Sequence, residues 1–203
     1  MEKLDLTKVP GYHYKARTQP ELVNLAAAQF LTVTGKGAPG GDEFTAKLGA
    51  LYPVAYGIKK QCKDAGMDFG VPKLEGLWWV TRHDVPPMEV PRDEWHWKLM
   101  IRMPDFASAD QHAHAVAAVE KKKKTPHARD IKFETFNEGT AVQVLHVGPY
   151  ADEPETLNRM YAFITAGGWK MAGEHHEIYL SDPFKTAPEK LRTILRHPVV
   201  KQQ

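Results

Sequence analysis

Apolar and polar positions along the chain change period several times, and each change marks an element. Ala28 to Thr34 (AQFLTVT) is rich in β-branched and aromatic residues and predicts a strand, broken by Gly35-Lys36-Gly37 and Pro39-Gly40-Gly41. From Phe44 the apolar spacing turns helical, through Leu48, Leu51, Ala55 and Ile58. Asp42 is placed to cap this helix, Glu43 meets the positive end of its dipole, and Gly66 ends it. Leu74 to Thr81 and Glu94 to Met103 predict two strands. In the latter, Trp95, Trp97, Leu99, Ile101 and Met103 alternate with Glu94, His96, Lys98 and Arg102, giving one apolar and one largely polar face. Pro86, Pro87 and Pro91 make the link between them a loop.

A second, Ala-rich helix is predicted from Ser108, its cap, to Lys124, with Lys121 to Lys124 at the negative end of the dipole. Strands follow at Ile131 to Phe136 and Ala141 to Val147. Then the first order returns. Gly148-Pro149 breaks the strand, Asp152 to Glu155 opens a helix with Leu157, Met160, Tyr161 and Ile164 on its apolar side, and Gly167-Gly168 closes it. Glu177 to Leu180 and Leu191 to Arg196 are two further strands. Strand, helix, strand, strand therefore occurs twice. The expected fold is α+β, with antiparallel sheets, helices on one face and a cleft between the halves. Residues 1–27, broken by Pro10, Gly11 and Pro20, read as an irregular lead-in. Residues 28–203 read as one domain, its halves at about 28–104 and 131–197 joined by the helix at about 108–124.

Composition narrows the function classes. The chain has 203 residues, 42% hydrophobic and 26% charged, which suits a globular fold. A net charge of +2 gives no reason to expect nucleic acid as partner. No stretch approaches the roughly 18 apolar residues that span a bilayer, and the start lacks a signal-peptide run, so a cytoplasmic location is expected. Cys62 is the single cysteine, which rules out an intramolecular disulfide and a thiolate cluster.

The chemistry-bearing residues are few. Glu177 and Tyr179 share one strand face. A carboxylate among aromatic rings attracts a cationic ligand when ionised, or serves as general acid or base when desolvated; the competing reading is a solvated rim residue. Trp78 and Trp79 point to opposite faces, one beneath the helix and one facing the groove; both are ligand-binding candidates, and Trp79 with Trp97 is the favoured pair. Tyr52 and Tyr56, four apart on the first helix, form a patch that is either boundary packing or a ligand edge, and Tyr150 carries the same pair of readings. Glu174-His175-His176-Glu177 resembles a metal run, but strand alternation separates the two histidines and no HExxH is present, so no metal is expected. His112 and His114 lie two apart on a helix and share no face. Cys62 has no evident His partner and reads as packing.

Several segments together resemble the GyrI-like (gyrase-inhibitor-like) small-molecule-binding family. They are His146-Val147-Gly148-Pro149-Tyr150, the helix from Asp152 to Ala166, Gly167-Gly168-Trp169, Ala172-Gly173, and Glu177-Ile178-Tyr179-Leu180-Ser181-Asp182-Pro183. The first half is similar to a subgroup, through Leu51-Tyr52-x-Val54-x-Tyr56-x-x-Lys59, Glu75-Gly76-Leu77-Trp78-Trp79 and Trp95-x-Trp97-x-x-Met100-Ile101-x-x-Pro104. The resemblance implies a hydrophobic binding cleft and a hydrophobic or aromatic small molecule as partner. Relatives include effector domains of drug-responsive regulators, which bind lipophilic cations beside a buried Glu. The subgroup is associated with hydrolysis of cyclopropane-containing electrophiles, a detoxification without cofactor, in which the Glu and at least one Trp are essential. The first 27 residues are too short and broken for the DNA-binding helices of the regulators. Two functions are thus expected: hydrolysis of strained electrophiles, or non-catalytic sequestration of lipophilic or cationic drugs. The oligomeric state stays open.

Overall fold

The computed structural model describes residues 3–11, 14–82, 84–122 and 125–202. Along them run β1 (Glu21–Leu25), β2 (Ala28–Lys36), α1 (Asp42–Asp64), β3 (Leu74–Trp79), β4 (His96–Met103), α2 (Ala109–Lys121), β5 (Lys132–Phe136), β6 (Gly139–Val147), α3 (Glu153–Ala166), β7 (Trp169–Met171), β8 (His175–Tyr179) and β9 (Arg192–Lys201). The expected α+β order appears twice, as β2-α1-β3-β4 and as β6-α3-β8-β9, with the short β7 added after α3. Backbone contacts sort the chain into two compact units. One comprises the residues up to Val9, Ala28–Pro72 and Gly76–Phe136; the other comprises Pro10–Ala27, Lys73–Glu75 and everything from Asn137 onward.

In the first unit the strand order is β3-β4-β2-β5. β2 pairs antiparallel with β4 and with β5. That pairing puts β5 in this unit. Gly35 does not end β2. It lies opposite Trp97, and a Cβ there would come within 2.2 Å of the indole, so glycine is what lets the ring lie flat across the strand. α1 begins after Gly41, whose side-chain-free cap leaves Asp42 and Glu43 in the first turn, where their charge favours the dipole. Its buried stripe is Leu51, Val54, Ala55, Ile58 and Cys62. Ser108 caps α2 as expected: its Oγ accepts from the Gln111 N–H, and its own N–H donates to Gln111 Oε1. α2 belongs to the first unit. It packs on α1, where Gly57 meets Ala115 and Gln61 Nε2 donates to the Gln111 carbonyl at 2.9 Å. Lys123 and Lys124, expected at its end, lie outside the described residues.

In the second unit β1, β6, β9 and β8 are successive neighbours, each pair antiparallel. α3 covers one face through Val142, Val144, Leu157, Met160, Ile164, Leu195 and Val199. Burying each such side chain is worth about 1.5–3 kcal/mol. The lead-in is not irregular throughout. β1 pairs with β6, the Leu145 N–H donates to the Arg17 carbonyl at 2.7 Å, and Gln143 Nε2 donates to the Lys15 carbonyl at 3.0 Å. Hydrogen bonds rather than an apolar stripe hold this segment, which is why periodicity does not reveal it.

Candidate functional site

β8 is five residues long, and its alternation decides which side chains can do chemistry. Glu177 lies opposite Leu195 and Tyr179 opposite Thr193 on β9. Cross-strand partners share a face, and Leu195 belongs to the core under α3. His175, Glu177 and Tyr179 therefore point to the α3 side, while His176 and Ile178 point to the other.

On the α3 side, His175 Nε2 stands 3.4 Å from Glu177 Oε1, with only 17% and 13% of the two side chains exposed. Tyr150 brings a second phenol, its ring edge-on to Tyr179 at a centroid distance of 6.2 Å. The chain arrives there through Gly148, whose φ of +135° an L side chain rarely adopts. The Gly148 N–H donates to the Leu191 carbonyl. His146 fixes the same turn: its Nε2 lies 3.1 Å from the Pro149 carbonyl, so that nitrogen donates and Nδ1 accepts from the Thr156 hydroxyl. Burial, then the charges of Glu177, Glu153 and Asp182, push the Tyr150 hydroxyl up to about 12. It is a proton donor throughout the neutral range. The His197 ring lies 6.2 Å from that of His175. Burial first, and His175 next, hold His197 down at about 4, so it is neutral. The arrangement offers a largely covered carboxylate, an imidazole beside it and a phenol donor, which are the groups of general acid–base chemistry.

On the opposite side, His176 is fully enclosed between two carboxylates, Glu138 Oε1 at 2.9 Å and Glu75 Oε2 at 3.1 Å. Arg196 Nη1 bonds Glu138 Oε2 at 3.1 Å, and Arg196 Nη2 bonds Gln143 Oε1 at 2.8 Å. The Tyr14 hydroxyl, from the lead-in, donates to Glu75 at 2.6 Å. Burial opposes every charge here, yet the pairing wins. His176 is raised by Glu138 and Glu75, and Glu138 is lowered by His176 and Arg196. Two positive groups thus balance two negative ones.

The structure separates the predicted tryptophans. Trp78 stacks on Phe44 of α1 at 6.1 Å, and Trp97 meets the same ring edge-on at 5.3 Å. Trp97 is wholly buried, so it is core beneath α1 and not an outward partner of Trp79. Trp79 points the other way and stacks on His96 at 5.6 Å. Tyr52 and Tyr56 form the expected patch, stacked at 6.5 Å, with Tyr56 exposed. A surface hollow of about 210 Å³ between Tyr161, Trp169 and Met171 holds none of the predicted residues and no carboxylate. Among the described residues, no three His, Cys, Asp or Glu side chains are grouped to hold a metal. Sequence reasoning missed His175 and His197. The same alternation that parts His175 from His176 puts His175 beside Glu177, so the first of these was within reach.

The model of the GyrI-like small molecule binding domain matches residues 18–200. The chain belongs to the GyrI-like family. This GyrI-like protein is 38% identical to an uncharacterized conserved protein from Listeria innocua, over 98% of this chain and all of that one, with a TM-score of 0.90. Two structures of hydrolases from Listeria innocua, one encoded by lin2189, are 37% and 36% identical to it with TM-scores of 0.86 and 0.87. Each aligns over 98% of this chain and 100% of its own. No curated protein matches the GyrI-like chain. Among its described residues, no helix is long and apolar enough to cross a membrane.

Proposed function

We propose that this small-molecule-binding domain is a hydrolase of strained, electrophilic compounds carrying a cyclopropane ring, acting in detoxification in the cytoplasm. The observation that carries the reading is the covered Glu177 carboxylate with His175 at 3.4 Å, set near the Tyr150 phenol. The two hydrolases of similar sequence support hydrolysis; the resemblance of the Trp-rich first half to the cyclopropanoid subgroup supports the substrate class. Glu177 takes a proton from water as the water oxygen bonds to a ring carbon. The ring C–C bond breaks, its electron pair moves onto the conjugated carbonyl of the substrate, and a proton from Tyr150 or Tyr179 meets the developing oxyanion. Glu177 then returns its proton to the phenolate, so the net change is addition of one water. Ring strain drives the reaction and the protein supplies orientation and a base, so no cofactor is required.

The test is incubation with a spirocyclopropyl enone in H2(18)O. Ring opening with (18)O in the product, lost in Glu177→Gln, supports the reading; equal rates for the two proteins remove Glu177 from it. A second reading, sequestration of lipophilic cations without turnover, draws on the three carboxylates whose charge reaches Tyr150. Saturable binding with an unchanged ligand would favour it.

A further inference from the structure

The hollow beside α3 shares no residue with the Glu177 group. Tyr161 and Ile164 line it from α3, and Trp169, Lys170 and Met171 line it from β7. Its two rings are fixed in place. Tyr161 and Trp169 both pack against the core cluster under α3. Tyr161 also meets the His197 ring edge-on at 6.5 Å. The pyrrole edge of Trp169 rests against Gly167, where an added Cβ would stand 2.7 Å from Cδ1. The Lys201 Nζ lies over the same indole, 4.0 Å from the ring centroid. Walls that need no ordering leave more of each contact as affinity.

The polar groups on these walls are donors. Among the described residues, the side chains of Tyr161, Trp169 and Lys170 have no hydrogen-bond or ion-pair partner. An indole N–H and an ammonium can only donate. Burial pushes the Tyr161 phenol up, so it too keeps its proton. No carboxylate of the described residues lines the hollow, so Lys170 and Lys201 leave it with a positive balance. A cationic guest would meet two like charges, one of them already seated on the indole face that would attract it. Size narrows the guest further. A dry cavity of about 150 Å3 accepts benzene, so an open hollow of about 210 Å3 suits one or two fused rings.

We propose that this hollow is a second small-molecule site, which takes an aromatic carboxylate of one or two rings, with the ring against Tyr161 and Trp169 and the carboxylate on Lys170. Rings of the guest stack on or meet edge-on the two fixed rings. The carboxylate gains a charge-assisted hydrogen bond from the ammonium, which no described group satisfies. The inference stands apart from the chemistry proposed for Glu177, and neither needs the other.

The test is calorimetric titration of the full chain with 2-naphthoate and with 2-naphthamide, a neutral molecule of the same shape. The acid is expected to bind with a Kd on the order of 100 µM and the amide at least about fivefold more weakly. Added salt should weaken the acid and leave the amide unmoved. Lys170→Glu and Trp169→Leu should each raise the Kd of the acid about tenfold, and Glu177→Gln should leave it unchanged. Lys170 is exposed, so its variant keeps the test open should Trp169→Leu unfold. A wild type that binds neither compound, equal Kd values for acid and amide, or a Kd unmoved in Lys170→Glu overturns this inference and leaves the Glu177 reading standing. A Kd that shifts in Glu177→Gln as far as in Lys170→Glu places the acid on the Glu177 side and also overturns the inference.

Discussion

His176 and Glu177 are adjacent in the chain and face opposite ways across one strand. Behind β8, the positive His176 and Arg196 meet the negative Glu138 and Glu75, and the set is sealed from water. In front, Glu177, Glu153 and Asp182 all bring negative charge toward one phenol. The closed side has nothing left to offer a ligand, and its value is to fix the position of β8. The open side keeps a carboxylate whose needs a substrate or water can meet. A strand whose rear is locked is a means of holding a reactive group on its front still.

The contrast is broken most severely from behind. Arg196→Met should cost about 4 kcal/mol in urea unfolding, because it leaves the buried Glu138 and Glu75 to share the charge of His176. Glu177→Gln should change the same quantity by less than about 1 kcal/mol, since the amide keeps the shape of the carboxyl beside His175. A loss of similar size in both variants would erase the distinction between the two sides. The tryptophans give a parallel contrast in the first unit. Trp97→Ala should cost about 3 kcal/mol or more by the cavity it leaves, whereas Trp79→Ala, on the half-open face, should cost about 1 kcal/mol.

The pH dependence follows from the closed side. His176 in the folded protein is raised to about 9, above its ordinary value of 6.5. Its contribution is complete below pH 6.5 and is lost as pH rises through about 9, because the unfolded chain releases a proton that the folded chain retains. Glu138, lowered to about 2 from 4.5, contributes above pH 4.5 and loses that contribution as pH falls toward 2. The unfolding free energy should therefore drop by about 3 kcal/mol between pH 6.5 and 9.5, and His176→Gln should flatten that limb. An alkaline limb of unchanged slope in the variant would dissociate it from His176. A smaller effect is expected from Tyr150→Phe: roughly a threefold to tenfold loss in turnover with the unfolding midpoint held, measured by steady-state kinetics.

Much of this was legible in the sequence, and the gaps have physical causes. The doubled order of elements came from period alone, since α1 and α3 carry apolar stripes and the strands alternate. Alternation also put Glu177 with Tyr179, and Trp78 opposite Trp79. It could not say whether Trp79 and Trp97 share a face, because that depends on the register of two different strands, and the structure sets them on opposite sides. Gly35 read as a strand breaker because its reason for being glycine, the Trp97 ring across the sheet, is a tertiary contact. The buried cluster was hidden for a similar cause. Tyr14, Glu75, Glu138, His176 and Arg196 are scattered through the chain, look like surface residues one at a time, and become a core only when β1, β6, β8 and β9 assemble around them.

On the proposed function, the front of β8 performs the chemistry while the rear holds it in place. It is tested most directly by the turnover number of Glu177→Gln on a spirocyclopropyl enone, measured on the same preparation as its urea midpoint. The account predicts a loss of at least about 100-fold in kcat with the midpoint unmoved. Wild-type turnover in the variant, at an equal midpoint, would contradict it.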